Sequence, residues 1–141
     1  MLVFISKGID KERAKMSACE SYKNITGKYL TINYDELGKP IANDCYVSIS
    51  HTQDVFLIAV SRCNVGIDIE RRDRKISSRI GTIESWTEME AYCKFLGTGI
   101  KRELIGKPID QSMIHKVDIS DEYIISVYSS DDNIMISTIF G

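Results

Sequence analysis

The sequence predicts a small α+β protein in which antiparallel sheets are packed by two main helices. Two observations support this fold class. Segments with alternating or continuous apolar residues, which are typical of strands, outnumber the two segments with helical periodicity. The connections between neighbouring strand candidates are short, which favours hairpins over the long crossovers that parallel strands need. With 141 residues, the chain is expected to form a single domain, residues 1–141.

The first half of the chain alternates strand and helix signals. Residues 2–5 are an apolar strand candidate, and a helix is predicted from Lys11 to about Lys28. Asp10 suits the N-cap of this helix, and Gly27 suits its end. The remaining elements expected in this half are strands at 30–34, 46–50 and 55–61 and a Gly-Lys-Pro turn at 38–40.

The second half continues with one strand, one helix and three further strands. The segment 65–70 alternates like a strand, and residues 85–96 have helical periodicity with Gly97 as the expected stop. The last three strand candidates are 114–119, 123–129 and 134–140. Turn-forming residues separate them, so we expect a three-stranded meander at the end of the chain.

Composition argues against several classes of protein. A net charge of −2 lacks the basic excess of a general nucleic-acid binder, and no apolar run approaches the roughly 20 residues that span a bilayer. We therefore expect neither nucleic acid nor a membrane among its partners. The N-terminus lacks a secretory signal pattern, and the four cysteines form no Cys-x-x-Cys pair. Reduced thiols in a cytoplasmic protein are expected, with Cys63 and Cys93 as small core residues.

The segment at 66–70, Gly-Ile-Asp-Ile-Glu, is the first candidate functional site. Side chains alternate faces along a strand, so Asp68 and Glu70 share one face while the two isoleucines face the core. Adjacent carboxylates repel each other unless a cation lies between them. Mg²⁺ takes one or two protein carboxylates together with water and phosphate. The alternative is a half-exposed strand whose acidic residues simply face water.

Two further segments add polar groups to this candidate. On the second predicted helix, Trp86, Glu90 and Lys94 fall at i, i+4 and i+8 and therefore share a face. Glu90 is a candidate third metal ligand and Lys94 a candidate phosphate contact; the alternative for this pair is a solvated surface ion pair. Ser50 and His51 end a strand. They are candidate phosphate donors, or an ordinary strand end with a solvent-facing histidine.

Together these segments resemble the 4′-phosphopantetheinyl transferase superfamily. In order, the matching sequences are GKP at 38–40, the Ser-His of SISHT, GIDIE at 66–70 and WTEMEAYCK at 86–94. Their order and the GIDIE sequence resemble the surfactin-synthetase-activating type in a shortened form. The LGTG at 96–99 is similar to the holo-acyl-carrier-protein-synthase type. The resemblance implies a fold of two small pseudo-symmetric lobes, here about residues 1–64 and 65–141.

The resemblance also implies an activity and a set of site residues. The implied reaction transfers the 4′-phosphopantetheine group of coenzyme A, the co-substrate, to a serine of an apo acyl or peptidyl carrier protein and releases 3′,5′-ADP. Mg²⁺ is the implied cofactor, and its ligands would be Asp68, Glu70 and Glu90. The catalytic residues would be Glu90 and Lys94. The residues that contact coenzyme A would be Lys39, Ser50, His51 and Lys94.

The sequence departs from the pattern of this superfamily after residue 70. Met89 replaces a lysine that the superfamily helix usually has, and the stretch 71–85 is shorter than in related enzymes. Glu84 is the nearest candidate for the acidic residue of that stretch. These departures motivate an alternative function: a degenerate, non-catalytic member that binds coenzyme A or a carrier protein.

The shortened stretch carries five basic residues within nine positions, on a chain that is otherwise slightly acidic. They are Arg71, Arg72, Arg74, Lys75 and Arg79. One interpretation is a solvated loop. The other is a docking patch for an acidic partner, such as an acyl carrier protein, which would steer association and weaken with salt.

Overall fold

The computed structural model of the protein describes residues 1–99 and 102–140. In chain order its elements are β1 (Leu2–Lys7), α1 (Lys11–Thr26), β2 (Ile32–Tyr34), β3 (Pro40–Ala42), β4 (Tyr46–Thr52), β5 (Val55–Ser61), β6 (Gly66–Arg71), α2 (Ile83–Leu96), β7 (Ile114–Val117), β8 (Tyr123–Tyr128) and β9 (Met135–Phe140). Two short 3₁₀ helices, Arg102–Leu104 and Gln111–Met113, precede β7. Within the described ranges, no helix is both long and apolar enough to cross a membrane.

Both main helices have well-defined ends. The Asp10 side chain accepts a hydrogen bond from the N–H of Arg13, and Gly27 ends α1 in the left-handed conformation at a φ of 76°. Both of these predictions are confirmed. The second helix, α2, begins before the predicted residue 85, because Thr82 and Ser85 form a reciprocal capping box. Gly97 ends α2 as predicted, at a φ of 74°.

The strands form a four-stranded sheet in the order β4-β5-β1-β9, a three-stranded sheet in the order β6-β8-β7 and the small hairpin β2-β3. All pairs are antiparallel except β1 with β9, which run parallel. This is the mixed α+β architecture that the sequence predicts, with few helices and mainly antiparallel sheets. The sheets are the unit from which the candidate site is built.

The predicted C-terminal meander is wrong in its third strand. Strands β7 and β8 pair with each other, but β9 lies beside β1 in the first sheet. Two further contacts join the start of β1 to the segment around the start of β9: the Met1 amine forms an ion pair with Asp131 at 2.9 Å, and the N–H of Met135 donates to the Met1 carbonyl at 2.9 Å. The last strand therefore crosses the boundary between the predicted lobes, 1–64 and 65–141. The pseudo-symmetry of these lobes stays a prediction, and residues 100, 101 and 141 lie outside the described residues.

The molecule is layered in the order α1, first sheet, second sheet, α2. The core between the two sheets includes Val3, Leu57, Ile67, Ile69 and Ile125. A second core lies between α1 and the other face of the first sheet, and α2 packs on β6 and β8. Of the two cysteines predicted to be buried, Cys93 is buried, whereas Cys63 is exposed in the bend after β5.

Strand β6 is buried on both of its faces. Its isoleucines enter the core between the sheets, and its other face lies under α2. Gly66 permits this contact, because a Cβ at this position would lie 1.9 Å from the carbonyl oxygen of Ala91. Since Gly66, Asp68 and Glu70 alternate with the isoleucines, both acids share the face that α2 covers. The glycine thus sets how closely α2 approaches the two acids.

Candidate active site

Three acidic side chains converge between β6 and α2. Asp68 and Glu70 come from β6 and Glu90 comes from α2, and one carboxylate oxygen of each lies within 4.8 Å of the others. The exposed fractions of Asp68 and Glu70 are 2% and 7%, while Glu90 is partly exposed. The structure therefore brings together the three residues that the sequence singles out as metal ligands. We call this group the acid cluster.

Two cations flank the acid cluster. Lys94 of α2 places its Nζ 3.4 Å from Asp68 Oδ1 and donates to the carbonyl of Ile49 at 3.0 Å. Arg74 places Nη1 2.6 Å from Glu70 Oε1. The sequence indicates Lys94 at this position but not Arg74, which it offers only as part of a basic loop. Two positive groups therefore face three carboxylates. If all three are ionised, one negative charge is not balanced by these groups.

Asp68 is held through one of its two oxygens. Ser50 Oγ donates to Asp68 Oδ1 at 3.2 Å, in addition to the contact of Lys94 with the same oxygen. The other oxygen, Oδ2, is buried and has no hydrogen-bond partner among the described residues. Buried polar atoms are rarely left without a partner, so this oxygen marks where a further group would bind.

The environment of Asp68 opposes its ionisation. Burial raises the pKa of Asp68 to about 8, and Lys94 opposes this rise. The charge of Glu90, a hydrogen bond between Glu90 and the protonated form of Asp68, and the charge of Glu70 all raise the pKa of Asp68 further. An ionised Asp68 therefore needs another cation beside it. A hard divalent ion with oxygen ligands supplies that charge, so the donor set fits Mg²⁺.

A pocket lies next to the acid cluster and shares Lys94 with it. Its volume is about 210 Å³. Its lining comprises Leu37, Gly38, Lys39, Pro40, Val47, Ser48, Ile49, Lys94, Gly97 and Gly99. Lys39 Nζ lies 3.4 Å from the carbonyl of Phe95, near the end of α2. Two ammonium groups on mainly apolar walls suit a ligand that has both an anionic and an apolar part.

Comparison with known proteins adds one relative. No family model matches the chain. A curated protein of Aneurinibacillus migulanus named 4′-phosphopantetheinyl transferase gsp is 25% identical over 161 residues, which cover 80% of this chain and 68% of the relative. This similarity supports the 4′-phosphopantetheinyl transferase superfamily at a distant level. The aligned stretch is longer than the 141 residues of the chain, so the relative has residues there that this chain lacks.

Ser50 and His51, which the resemblance to this superfamily links to coenzyme A, point in different directions. Ser50 is buried against Asp68. His51 follows it on β4 and therefore lies on the opposite face, where its exposed ring stacks on Phe56 with 6.2 Å between the ring centroids. The structure thus joins Ser50 to the acid cluster and leaves His51 at the surface of the first sheet.

Two further positions mark how the chain differs from the superfamily pattern. Met89, which replaces a lysine, is buried with 6% of its surface exposed. Glu84 lies in the first turn of α2 and pairs with Arg72 at 3.5 Å, outside the acid cluster. The structure therefore gives Glu84 a partner of its own and does not bring it to the three carboxylates.

The basic stretch after β6 is largely paired within the protein. Arg71 contacts Asp73 at 3.1 Å, and Arg72 and Arg74 contact acids as described above. Lys75 and Arg79 are exposed and form no ion pair with any described residue. Two contacts of the acid cluster were not predicted: Ser50 with Asp68, and Arg74 with Glu70. The signals for them in the sequence are the Ser-x-Ser pattern on β4 and an arginine four residues after Glu70.

Proposed function

We propose that the protein transfers the 4′-phosphopantetheine group of coenzyme A to a serine of an apo acyl or peptidyl carrier protein. The observation that carries this proposal is the acid cluster, Asp68, Glu70 and Glu90 within 4.8 Å, beside a lysine that also lines the pocket. The name of the distant relative supports phosphopantetheinyl transfer in general terms. That coenzyme A is the donor, a carrier protein the acceptor and Mg²⁺ the cofactor goes beyond this general support and is part of our proposal.

Mg²⁺ is the proposed cofactor, and the acid cluster would hold it. The partnerless, buried Oδ2 of Asp68 and the raised pKa of the same side chain support this assignment. When bound, the ion would offset the negative charge that develops on the pyrophosphate during phosphoryl transfer. Lys94 adds a fixed positive charge on the same side, because its Nζ is held between Asp68 and the Ile49 carbonyl.

Coenzyme A is proposed to enter the pocket beside α2. Lys39 and Lys94 supply two positive charges for its phosphates, and the apolar walls suit part of the nucleotide. The pocket is open and small, so it would hold only one end of the coenzyme. His51 is proposed as a phosphate contact at the surface of the first sheet.

The proposed reaction forms one bond and breaks one. The serine oxygen of the carrier protein bonds to the phosphorus that bears the pantetheine arm, the bond from that phosphorus to the bridging oxygen breaks, and 3′,5′-ADP leaves. The proton of the serine must pass to a base. Glu90 is the most exposed of the three carboxylates and is therefore the one that an incoming hydroxyl can approach.

The carrier protein is proposed to dock near the basic stretch, in a reaction that we assign to the cytoplasm. Within the basic stretch, Lys75 and Arg79 have no acidic partner among the described residues, and carrier proteins are acidic. Replacing both with glutamate is expected to raise the carrier KM at low salt, with the effect fading as salt screens the charges. A KM that stays constant would remove this surface from the proposal.

Mass spectrometry of a carrier protein tests the proposed function. An apo carrier protein incubated with coenzyme A, Mg²⁺ and the protein should gain the mass of one phosphopantetheine group. Asp68→Asn should abolish the gain, whereas Asp132→Asn, in the exposed loop between β8 and β9, should retain it. No gain with any carrier protein, from a folded protein, would reject the proposal.

The alternative function is a non-catalytic relative that binds coenzyme A or a carrier protein. Met89 favours it, because an apolar side chain is buried where the superfamily usually has a lysine. Calorimetry separates the two functions. Coenzyme A that binds without any transfer would favour the alternative.

A further inference from the structure

Two serine hydroxyls connect the first sheet to the second. Among the described strands, β6 pairs with β8 alone, on one of its two edges. On its other side, the N–H of Ile67 donates to Ser48 Oγ at 3.0 Å, and the N–H of Ile69 donates to Ser50 Oγ at 3.1 Å. Both serines are buried, at 3% and 5% exposed. We call this pair of hydroxyls the serine seam; it replaces strand pairing where β4 meets β6.

The two serines of the seam differ in one contact. A serine hydroxyl has one proton to donate and can accept as well. Because each hydroxyl oxygen receives an N–H from β6, its own proton must go elsewhere. The Ser50 proton goes to Asp68 Oδ1 at 3.2 Å, whereas Ser48 makes no hydrogen bond to a carboxylate among the described residues. Ser48 and Ser50 therefore form a matched pair: both accept a backbone N–H of β6, and Ser50 alone of the two contacts the acid cluster.

We propose that Ser50 is a positioning residue that holds Asp68 by Oδ1 and so keeps Oδ2 available for a divalent cation. This inference rests on the proposed function of the acid cluster. It also revises the role that the resemblance implies for Ser50. Its hydroxyl proton is donated to Asp68 Oδ1, inside the protein.

The reasoning follows from which oxygen of Asp68 has partners. Ser50 and Lys94 both contact Oδ1, and Oδ2 has no partner among the described residues. Without the Ser50 hydroxyl, only Lys94, at 3.4 Å, would fix which oxygen faces the acid cluster. Hydrogen bonds behind a metal ligand fix its orientation, and losing one weakens metal affinity by about 10- to 100-fold.

Mn²⁺ titration in the absence of coenzyme A and carrier protein tests the role of Ser50. Electron paramagnetic resonance of free Mn²⁺ gives the affinity, and urea unfolding of the same samples gives stability. Ser50→Ala should weaken Mn²⁺ binding by about 10- to 100-fold. In the absence of coenzyme A, Ser48→Ala should bind Mn²⁺ as the unmodified protein does, although Ser48 also lines the pocket. Both variants lose one acceptor for a β6 N–H and should be destabilised, and Ser50→Ala also loses its hydrogen bond to Asp68.

A second pair of variants removes the effect of shape. Ser50→Thr and Ser50→Val both place a β-branched side chain on the strand, and they differ in the hydroxyl. Ser50→Thr should retain Mn²⁺ affinity, and Ser50→Val should lose it. This pair keeps the test decisive if the alanine variant does not fold.

Three results would overturn the inference. Equal Mn²⁺ affinity of Ser50→Ala and Ser48→Ala would leave the seam a purely structural link. A Ser50→Ala variant that keeps Mn²⁺ but loses coenzyme A would make Ser50 a phosphate contact. An unmodified protein that binds no Mn²⁺ at millimolar concentration would overturn the proposed metal site as well. If Ser50→Ala weakens Mn²⁺ binding as expected but no carrier protein is modified, the proposed function fails and the positioning role stands.

Discussion

The two helices cover the two sheets with different chemistry. The buried residues of α1 are Ala14 and Ala18, and they pack on an apolar face of the first sheet. The helix α2 also packs through an alanine, Ala91, but it brings Glu90 and Lys94 to a face of the second sheet that carries two more acids. Packing of a helix on a sheet thus produces an apolar core in one layer and a cluster of charges in the other.

The difference shows that a site formed by side chains of a helix and a strand requires a close approach of these two elements. Small apolar residues let α1 pack without any charged group inside. Under α2, the strand must come close enough to bring acids from two elements together, and Gly66 allows this by removing a side chain. The result is a carboxylate, Asp68, whose pKa is raised by burial and whose second oxygen has no partner among the described residues. We therefore expect changes in the α1 layer to alter stability alone, and changes in the α2 layer to alter metal binding as well.

Gly66→Ala should have the largest effect on stability. The added Cβ would lie 1.9 Å from the Ala91 carbonyl oxygen, so α2 must shift, and we expect a loss of about 3 kcal/mol or more in the free energy of unfolding. Gly27→Ala, at the end of α1, meets no atom within 4 Å and carries only a positive φ, which should cost about 1 kcal/mol. Urea unfolding measures both, and equal losses would contradict the close approach of α2.

Overpacking α1 should have a smaller effect, restricted to stability. Ala18 is fully buried against the first sheet, and Ala18→Leu adds volume to a packed core. We expect a loss of about 1–3 kcal/mol in the free energy of unfolding. Mn²⁺ affinity of the folded protein should not change. A drop in that affinity would show that the two layers are coupled.

The pH dependence of the free energy of unfolding should also distinguish the two layers, because Asp68 lies in the α2 layer. The folded pKa of Asp68 is raised from 3.8 to about 8, so between these values the folded state holds a proton that the unfolded state has lost. The free energy of unfolding of the metal-free protein should therefore fall as pH rises through this window, by at most about 1.4 kcal/mol per pH unit. Urea unfolding in EDTA measures the slope. If Asp68→Asn leaves the slope unchanged, another group is responsible.

Local patterns in the sequence predict the parts of the molecule that depend on local structure. The ends of α1 follow from Asp10 and Gly27, and the shared face of Asp68 and Glu70 follows from strand alternation. The helical spacing of Glu90 and Lys94 places both on the side of α2 that meets β6.

Contacts between distant segments could not be predicted in the same way. The return of β9 to β1 joins segments at opposite ends of the chain, as does the ion pair between Met1 and Asp131, which are 130 residues apart. The contact of Arg74 with Glu70 depends on how the loop folds after β6, and the buried position of Ser50 depends on where β4 meets β6. In each case the two interacting segments come together only when the sheets and helices have packed, so the pattern within one segment does not predict the contact.

The most direct test of the account is an anomalous difference map from crystals grown with Mn²⁺. The account predicts one strong peak among the carboxylates of Asp68, Glu70 and Glu90, with Asp68 Oδ2 facing it. A map without a peak there, with Lys94 and Arg74 still contacting the acids, would contradict the account. The three carboxylates would then be balanced by these two protein cations and not by a metal ion.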